Sequence, residues 1–262
     1  MQSTAVAGTM VAPGLGGILV ATTGYFWPFV IDAVSFWILA ATWLMVNINR
    51  QPVPHKEGEK MSATAGLKFI GADKLIRSMV ILIAVLITAL GSINVGEVFL
   101  VQDELHADAF IYGIVSMLFA AGSIVGSLTT AAIKLPLQYH ARAVIIAIIT
   151  LVVTVFAMSL AWHWWITMVL TFMAGIGNSV LNAYAIGIVV TRAPEDKLGR
   201  IQAAIGAVIQ TGSVAGIVIA GQAIAWFGVR PVLLVGSIIS GIIVAVLAPA
   251  VLRAGREHQI AQ

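Results

Sequence analysis

Long apolar runs separated by short polar breaks follow one another along almost the whole chain. Each run supplies the roughly 20 residues that a helix needs to cross a bilayer, and the alternating segments typical of a membrane β-barrel are not visible. The pattern therefore predicts an all-α, polytopic membrane helix bundle. Eight spans are predicted, at 4–24, 27–48, 77–101, 109–133, 142–161, 164–190, 201–226 and 231–252.

The composition supports a protein surrounded by lipid. Apolar residues make up 60% of the chain and charged residues only 10%, whereas soluble domains carry roughly 25% charged residues. The mean hydropathy is +1.02. The chain has no cysteine, which excludes disulfides and thiolate metal sites.

The positions of Lys and Arg predict how the spans are oriented, because basic residues concentrate in cytoplasmic loops. With both termini in the cytoplasm, all of the 14 basic residues except Arg230 fall on the cytoplasmic side. We therefore expect a multi-pass protein of the cell (inner or plasma) membrane. This basic face accounts for the pI near 9.4, so nucleic acid is not an expected partner.

Residues 8–17 combine a proline with small side chains at helical spacing. Pro13 removes a backbone donor and bends a helix. Gly8, Ala12 and Gly16 fall four residues apart, which lets a neighbouring helix approach closely. The stretch is therefore a candidate for one member of a moving helix pair, and tight static packing is the alternative. Its candidate residues are Gly8, Ala12, Pro13, Gly16 and Gly17.

The same stretch has a counterpart 204 residues later, where Gly8 aligns with Gly212 and Gly24 with Gly228 without a gap. Parallel repeats relate the halves of some transporters about an axis along the membrane normal. Counting spans on this basis predicts the last two helices of an N-terminal six-helix half (1–48), a cytoplasmic connecting loop (49–76) and a complete C-terminal six-helix half (77–262). The chain would then lack four helices, which another polypeptide would have to supply.

No catalytic or cofactor-binding pattern is visible. The chain lacks a G-x-x-x-x-G-K-[ST] phosphate loop, and no Ser/His/acid set or carboxylate pair occurs at a credible spacing. His106, His140 and His163 lie at separate interface turns, so no metal site is expected. We expect a protein that is not an enzyme and that needs no cofactor.

Two acidic residues fall inside predicted spans, where ionisable groups are costly and are candidates for function. They are Asp32 in the second span and Glu97 in the third. Removal from water favours the protonated carboxyl group, which is the condition for a proton carrier. Alternatively, both reach the outer interface and simply cap their helices.

Amide side chains mark a candidate substrate pathway, although amides also join neighbouring helices. A mostly apolar cavity with a few amides suits an amphiphilic organic solute better than a sugar or an inorganic ion. The candidates are Asn94 in the third span, Asn178 and Asn182 in the sixth, and Gln210 in the seventh.

The 8–17 stretch resembles the antiporter motif G-x-x-x-G-P-x-x-G-G in the fifth helix of the major facilitator superfamily, with Ala12 in place of a glycine. Tyr112-Gly113 and the turn Ala193–Arg200 resemble the branch that contains enterobactin exporters and macrolide efflux proteins. The resemblance implies the last eight (5–12) of twelve helices and proton-driven efflux of an organic solute by alternating access. In that case the lipid bilayer, the proton and a small organic solute such as a drug, macrolide or siderophore are the partners.

The turn between the sixth and seventh spans is a candidate cytoplasmic gate, because its opposite charges could form a latch that breaks when this side opens. An ordinary positive-inside turn is the alternative. The gate candidates are Arg192, Glu195, Asp196, Lys197 and Arg200. Two other functions stay open for the chain, namely solute uptake by the same fold and a non-transporting remnant or membrane scaffold.

Overall fold

The computed structural model of the chain describes residues 22–23, 26–45, 70–89, 91–133, 135–193 and 198–257. The antiporter-like residues 8–17 and most of the 49–76 connection lie outside these ranges. Every regular element in the described part is helical, which confirms the predicted all-α fold. The helices are α1 (Phe26–Met45), α2 (Lys74–Ala89), α3 (Gly91–Phe99), α4 (Ala109–Ala132), α5 (His140–Ser159), α6 (Trp164–Arg192), α7 (Leu198–Phe227) and α8 (Val229–Glu257).

For the seven predicted spans from 27–48 onward, the helix bounds agree with the prediction to within a few residues. The predicted span 4–24 lies almost wholly outside the described residues. Five helical segments in the described part are long and apolar enough to cross a membrane. They comprise α4, α6, α7, most of α8, and α5 together with the 3₁₀ turn Leu137–Tyr139. Helices α2 and α3, with the π-helical turn Leu100–Glu104 that extends α3, cover the third predicted span.

Polar residues fix the helix starts on both sides of the bundle. Asp108 caps α4, because its Oδ1 atom accepts a hydrogen bond from the backbone N–H of Ile111 at 2.8 Å. Asp73 precedes α2 in the same way, and its Oδ1 atom accepts from the N–H groups of Leu75 and Ile76 at 2.9 Å. An acidic side chain at this position satisfies orphan donors and opposes the positive end of the helix dipole.

The helix pairings follow an internal two-fold pattern. Helices α4 and α5 both pack on α6, while α7 and α8 both pack on α2 and α3, and α5 also packs on α8. Exchanging the triplet α2/α3, α4 and α5 with the triplet α6, α7 and α8 leaves this set of pairings unchanged. Three-helix repeats of inverted topology produce such a pattern. Helix α1 takes part in none of these extensive pairings.

Glycines permit the close approach of α4 and α6. A Cβ atom added at Gly122 would collide with the carbonyl oxygen of Phe172, and one added at Gly175 would collide with the carbonyl oxygen of Phe119. The two backbones are therefore in direct contact, as small residues allow between membrane helices. Gly126 lies four residues after Gly122 on the same face of α4, and a Cβ atom there would also meet the α6 backbone, 2.7 Å from the carbonyl oxygen of Ile176.

The symmetry-related crossing of α7 with α2 and α3 is also built on glycine. A Cβ atom at Gly216 would lie 2.6 Å from the carbonyl oxygen of Thr88, and one at Gly91 would lie 2.6 Å from the Cα atom of Gly216. Both crossings therefore depend on glycine residues, which lie at equivalent places in the two triplets.

The largest apolar core lies where α2, α5, α6 and α8 meet. Its members include Leu82 and Val144, which are fully buried, with Ile148, Ile188 and Val251 beside them. This core holds the two triplets together, and its members Leu86 and Ile148 also line a cavity.

Candidate functional site

A cavity of about 310 Å³ opens between α2, α3, α4, α5 and α6. Most of its wall is apolar and includes Leu86, Ile148 and Leu151. Its volume falls at the lower end of the roughly 300–1,000 Å³ typical of small-molecule sites. It can therefore hold a small solute or one portion of a larger one. Four polar side chains also line it: Glu97, Tyr112, Thr171 and Asn178.

Glu97 is the acidic group of this cavity. It lies on α3, and its Oε1 atom accepts a hydrogen bond from the hydroxyl group of Thr171 on α6 at 2.7 Å. Thr171 itself is only 2% exposed. Among the residues that line the cavity there is no Lys, Arg or His. A carboxylate in such surroundings has no basic partner, so a proton or a cationic solute would stabilise it.

Tyr112 and Asn178 place further polar groups around Glu97. Tyr112 lines the cavity from the first turn of α4. The Nδ2 atom of Asn182 donates to the backbone oxygen of Asn178 at 2.8 Å and approaches its Oδ1 atom at 3.3 Å. The amide of Asn178 is thereby oriented by its neighbour while it faces the cavity.

Only part of the predicted pathway meets in this cavity. Glu97 and Asn178 line it, whereas Asn182 and Gln210 are exposed and are not among its lining residues. The side chain of Asn94 lies outside the described part of the structure. Asp32 is exposed on α1, where its backbone oxygen accepts a hydrogen bond from the Ser35 hydroxyl at 2.7 Å.

Residues 81–261 match the family model of the Major Facilitator Superfamily. The chain belongs to the major facilitator superfamily. The match begins inside α2 and includes all of the helices from α3 to α8, so it covers nearly all of the two triplets. A search of curated proteins returned no match. Because this superfamily consists of membrane transporters, the chain is a multi-pass membrane protein of the transporter class.

An ion pair joins α2 and α6 at the face of the bundle where α2 begins and α6 ends. The Nη1 atom of Arg192 lies 3.0 Å from Oδ1 and 2.8 Å from Oδ2 of Asp73. The side chains are 15% and 20% exposed. Arg192 belongs to the predicted gate turn. Its partner Asp73 was not predicted, although an acidic residue just before a helix is a recognisable capping signal.

The other members of the predicted gate turn are less fully placed. Arg200 is half-buried in the first turn of α7. Glu195, Asp196 and Lys197 lie outside the described residues. The predicted contacts of Arg192 with Glu195 and Asp196 therefore stay a prediction.

A second ion pair lies at the opposite end of the bundle. The Nε atom of Arg230, at the start of α8, is 3.1 Å from Oε2 of Glu104, which ends the π-helical turn after α3. Arg230 also donates from Nη1 to the backbone oxygen of Ser159 at 3.4 Å. These contacts join α3, α5 and α8 at this end. The pair is more exposed than Asp73–Arg192, so solvent screens it more strongly.

Sequence inspection missed Thr171 and Tyr112 as parts of the site. Threonine and tyrosine are common in membrane helices, and neither residue type alone indicates a site. A signal for Thr171 was nevertheless present, because it lies seven residues before Asn178 on the same helix face. The contact between Thr171 and Glu97 joins residues 74 positions apart, and only the tertiary arrangement of the helices reveals it.

Proposed function

We propose that this superfamily member exports an organic solute by proton-coupled alternating access, with Glu97 as the proton-binding group. The observation that carries the proposal is the position of Glu97. Its carboxyl group faces an apolar cavity, has the Thr171 hydroxyl as a partner, and has no basic residue among the cavity-lining side chains. Binding and release of one proton would change the charge inside the cavity, which is the requirement for coupling.

The lining of the cavity supports an amphiphilic organic solute. Apolar side chains dominate, and the Tyr112 and Asn178 side chains offer a few hydrogen bonds. A drug, a macrolide or a siderophore-like compound has this combination of apolar body and sparse polar groups. Asn94, Asn182 and Gln210 would extend the pathway beyond the cavity.

The proposed division of the chain follows from the sequence repeat that aligns Gly8 with Gly212. Residues 77–262 form one six-helix half, residues 1–48 contribute two helices of the other half, and 49–76 is the cytoplasmic connection. Gly8, Ala12, Pro13, Gly16 and Gly17 would shape the helix contact that closes one side. Both termini lie on the cytoplasmic side of a cell membrane. Arg192 and Arg200, with Glu195, Asp196 and Lys197, would gate that side.

The test is transport by purified protein in liposomes with an imposed pH gradient. A fluorescent macrolide, a catecholate siderophore and a fluorescent lipophilic dye serve as probes. Export is expected to depend on the gradient in the unmodified protein and to lose that dependence in Glu97→Gln. Asp32→Asn is the comparison variant, because Asp32 is the other acidic residue in a predicted span.

The outcomes separate the possibilities. Gradient-dependent movement in the direction of the proton supports uptake instead of export. Loss of coupling in Asp32→Asn but not in Glu97→Gln would show that Asp32 binds the proton and that the proposed role of Glu97 is wrong. Absence of flux for all probes would favour a membrane scaffold.

A further inference from the structure

Thr167 carries a deeply buried hydroxyl group that the proposed site does not use. Its side chain lies one turn into α6 and is 0% exposed. Its Oγ1 atom has no hydrogen-bond partner among the described residues. A buried hydroxyl without a partner is costly, so proteins pair such groups with protein atoms or with ordered water. Thr150 on α5 shows the usual solution, because its hydroxyl donates to the Ile146 carbonyl oxygen at 3.0 Å.

The spacing along α6 aligns Thr167 with the proton-binding group. Thr167 precedes Thr171 by four residues, so the two side chains share a helix face with Cβ atoms roughly 5–6 Å apart. One water molecule that bonds both hydroxyls at about 2.8 Å each spans such a gap. Thr171 in turn donates to Oε1 of Glu97 at 2.7 Å. A single water at this place would therefore complete a continuous series of hydrogen bonds from Thr167 to Glu97.

This series of hydrogen bonds begins close to one surface of the membrane. Thr167 lies three residues after Trp164, the first residue of α6, which places it about 4.5 Å along the helix axis. Thr171 lies about 10 Å along the same axis. The buried packing at this end of the bundle is mostly apolar and includes Val101 and Val115, with Tyr112 packed against them. The hydroxyls of Thr167 and Thr171 are thus buried polar groups that lie between this surface and the cavity.

We infer that Thr167 binds a water molecule through which protons reach Glu97 from the membrane face where α6 begins. The inference rests on the proposed role of Glu97. A proton entering from the aqueous phase binds the water at Thr167, and this water passes a proton to the Thr171 oxygen. The Thr171 O–H bond breaks as a new O–H bond forms on Glu97. The carboxylate becomes a neutral acid and Thr171 regains a hydroxyl group.

The experiment follows protonation of Glu97 directly and needs no transported solute. Time-resolved infrared spectroscopy of the purified full chain records the carbonyl-stretch band of a protonated carboxyl group after a rapid fall in pH. Thr167→Val removes the hydroxyl at nearly constant volume, and Thr167→Ser retains it. Thr150→Val is the matched control, because it makes the same chemical change at a half-buried position whose hydroxyl bonds its own helix. Glu97→Gln identifies the band.

In Thr167→Val, we expect the band to grow roughly fivefold to tenfold more slowly, the change that corresponds to the loss of one hydrogen bond. Its final amplitude should stay unchanged. Thr167→Ser and Thr150→Val should keep the original rate. An unchanged rate in Thr167→Val overturns the inference, as does slowing by Asn182→Leu instead, since that result places the route at the other end of α6. If Glu97→Gln retains the band, the proposed role of Glu97 is itself wrong.

Discussion

Arg192, at the C-terminus of α6, is held by both carboxylate oxygens of Asp73, at the N-terminus of α2. These two helices occupy equivalent positions in the two triplets of the bundle. Asp73 also accepts hydrogen bonds from two backbone N–H groups of α2. One carboxylate thus caps one helix and joins it to the other at the same face of the membrane.

The two roles of Asp73 separate under substitution. Asp73→Asn keeps an acceptor for the α2 backbone but loses the charge that holds Arg192, which we expect to cost about 0.5–1 kcal/mol of unfolding free energy. Asp73→Ala loses the cap as well and should cost roughly 1 kcal/mol more. Thermal unfolding in detergent, followed by tryptophan fluorescence, measures both. Equal losses in the two variants would show that the cap contributes nothing.

The glycine crossings give a prediction with its control on the same helix. Gly216→Ala places a methyl group 2.6 Å from the Thr88 carbonyl oxygen, whereas a Cβ atom at Gly221 meets no atom within 4 Å. We expect Gly216→Ala to destabilise the bundle by about 1–3 kcal/mol, as overpacking does. Gly221→Ala should be neutral or stabilising by up to about 1 kcal/mol, the helix propensity difference. Chemical unfolding midpoints in detergent report both. Equal midpoints would mean that α7 and α2 do not approach closely.

The sequence predicted the helices well because a bilayer imposes one strong requirement on each of them. Every span needs a long apolar run, and the breaks at residues 105–108 and 160–163 are as clear in composition as in structure. The face formed by Gly122 and Gly126 was predictable for a similar reason. Small residues four apart on a helix have few explanations other than close packing.

The site was only half predictable because it depends on which helices meet. Glu97 was a candidate because a carboxyl group in an apolar run is unusual. Nothing in the local sequence indicates that Thr171 lies against it, or that Asn182 and Gln210 fall outside the cavity. The Asp73–Arg192 pair is similar, since its members are 119 residues apart. Charge patterning placed both residues at one membrane face but could not pair them.

The cavity is small enough that one larger side chain in its wall should weaken solute binding. Ala174 lines the cavity, while the adjacent Met173 is 45% exposed and does not. Ala174→Leu would fill part of about 310 Å³ and is expected to weaken binding of the fluorescent lipophilic dye roughly tenfold, a loss of about 1.4 kcal/mol. Met173→Leu should leave binding unchanged. Fluorescence titration of detergent-solubilised protein measures both affinities, and equal weakening would place the binding site elsewhere.

The hydrogen bond between Thr171 and Glu97 makes the most direct prediction about coupling. Thr171→Val removes the donor without changing the volume, so we expect gradient-driven transport of the probe solutes to fall roughly tenfold, as for the loss of one hydrogen bond to a charged group. Thr171→Ser should restore most of the rate. If the two groups act as a unit, Thr171→Val adds little in the Glu97→Gln background, because the bond is already altered. A full additional loss in the double variant would show that Thr171 acts through packing instead. Transport in liposomes with and without the pH gradient separates these results, since a purely structural role would lower both rates alike.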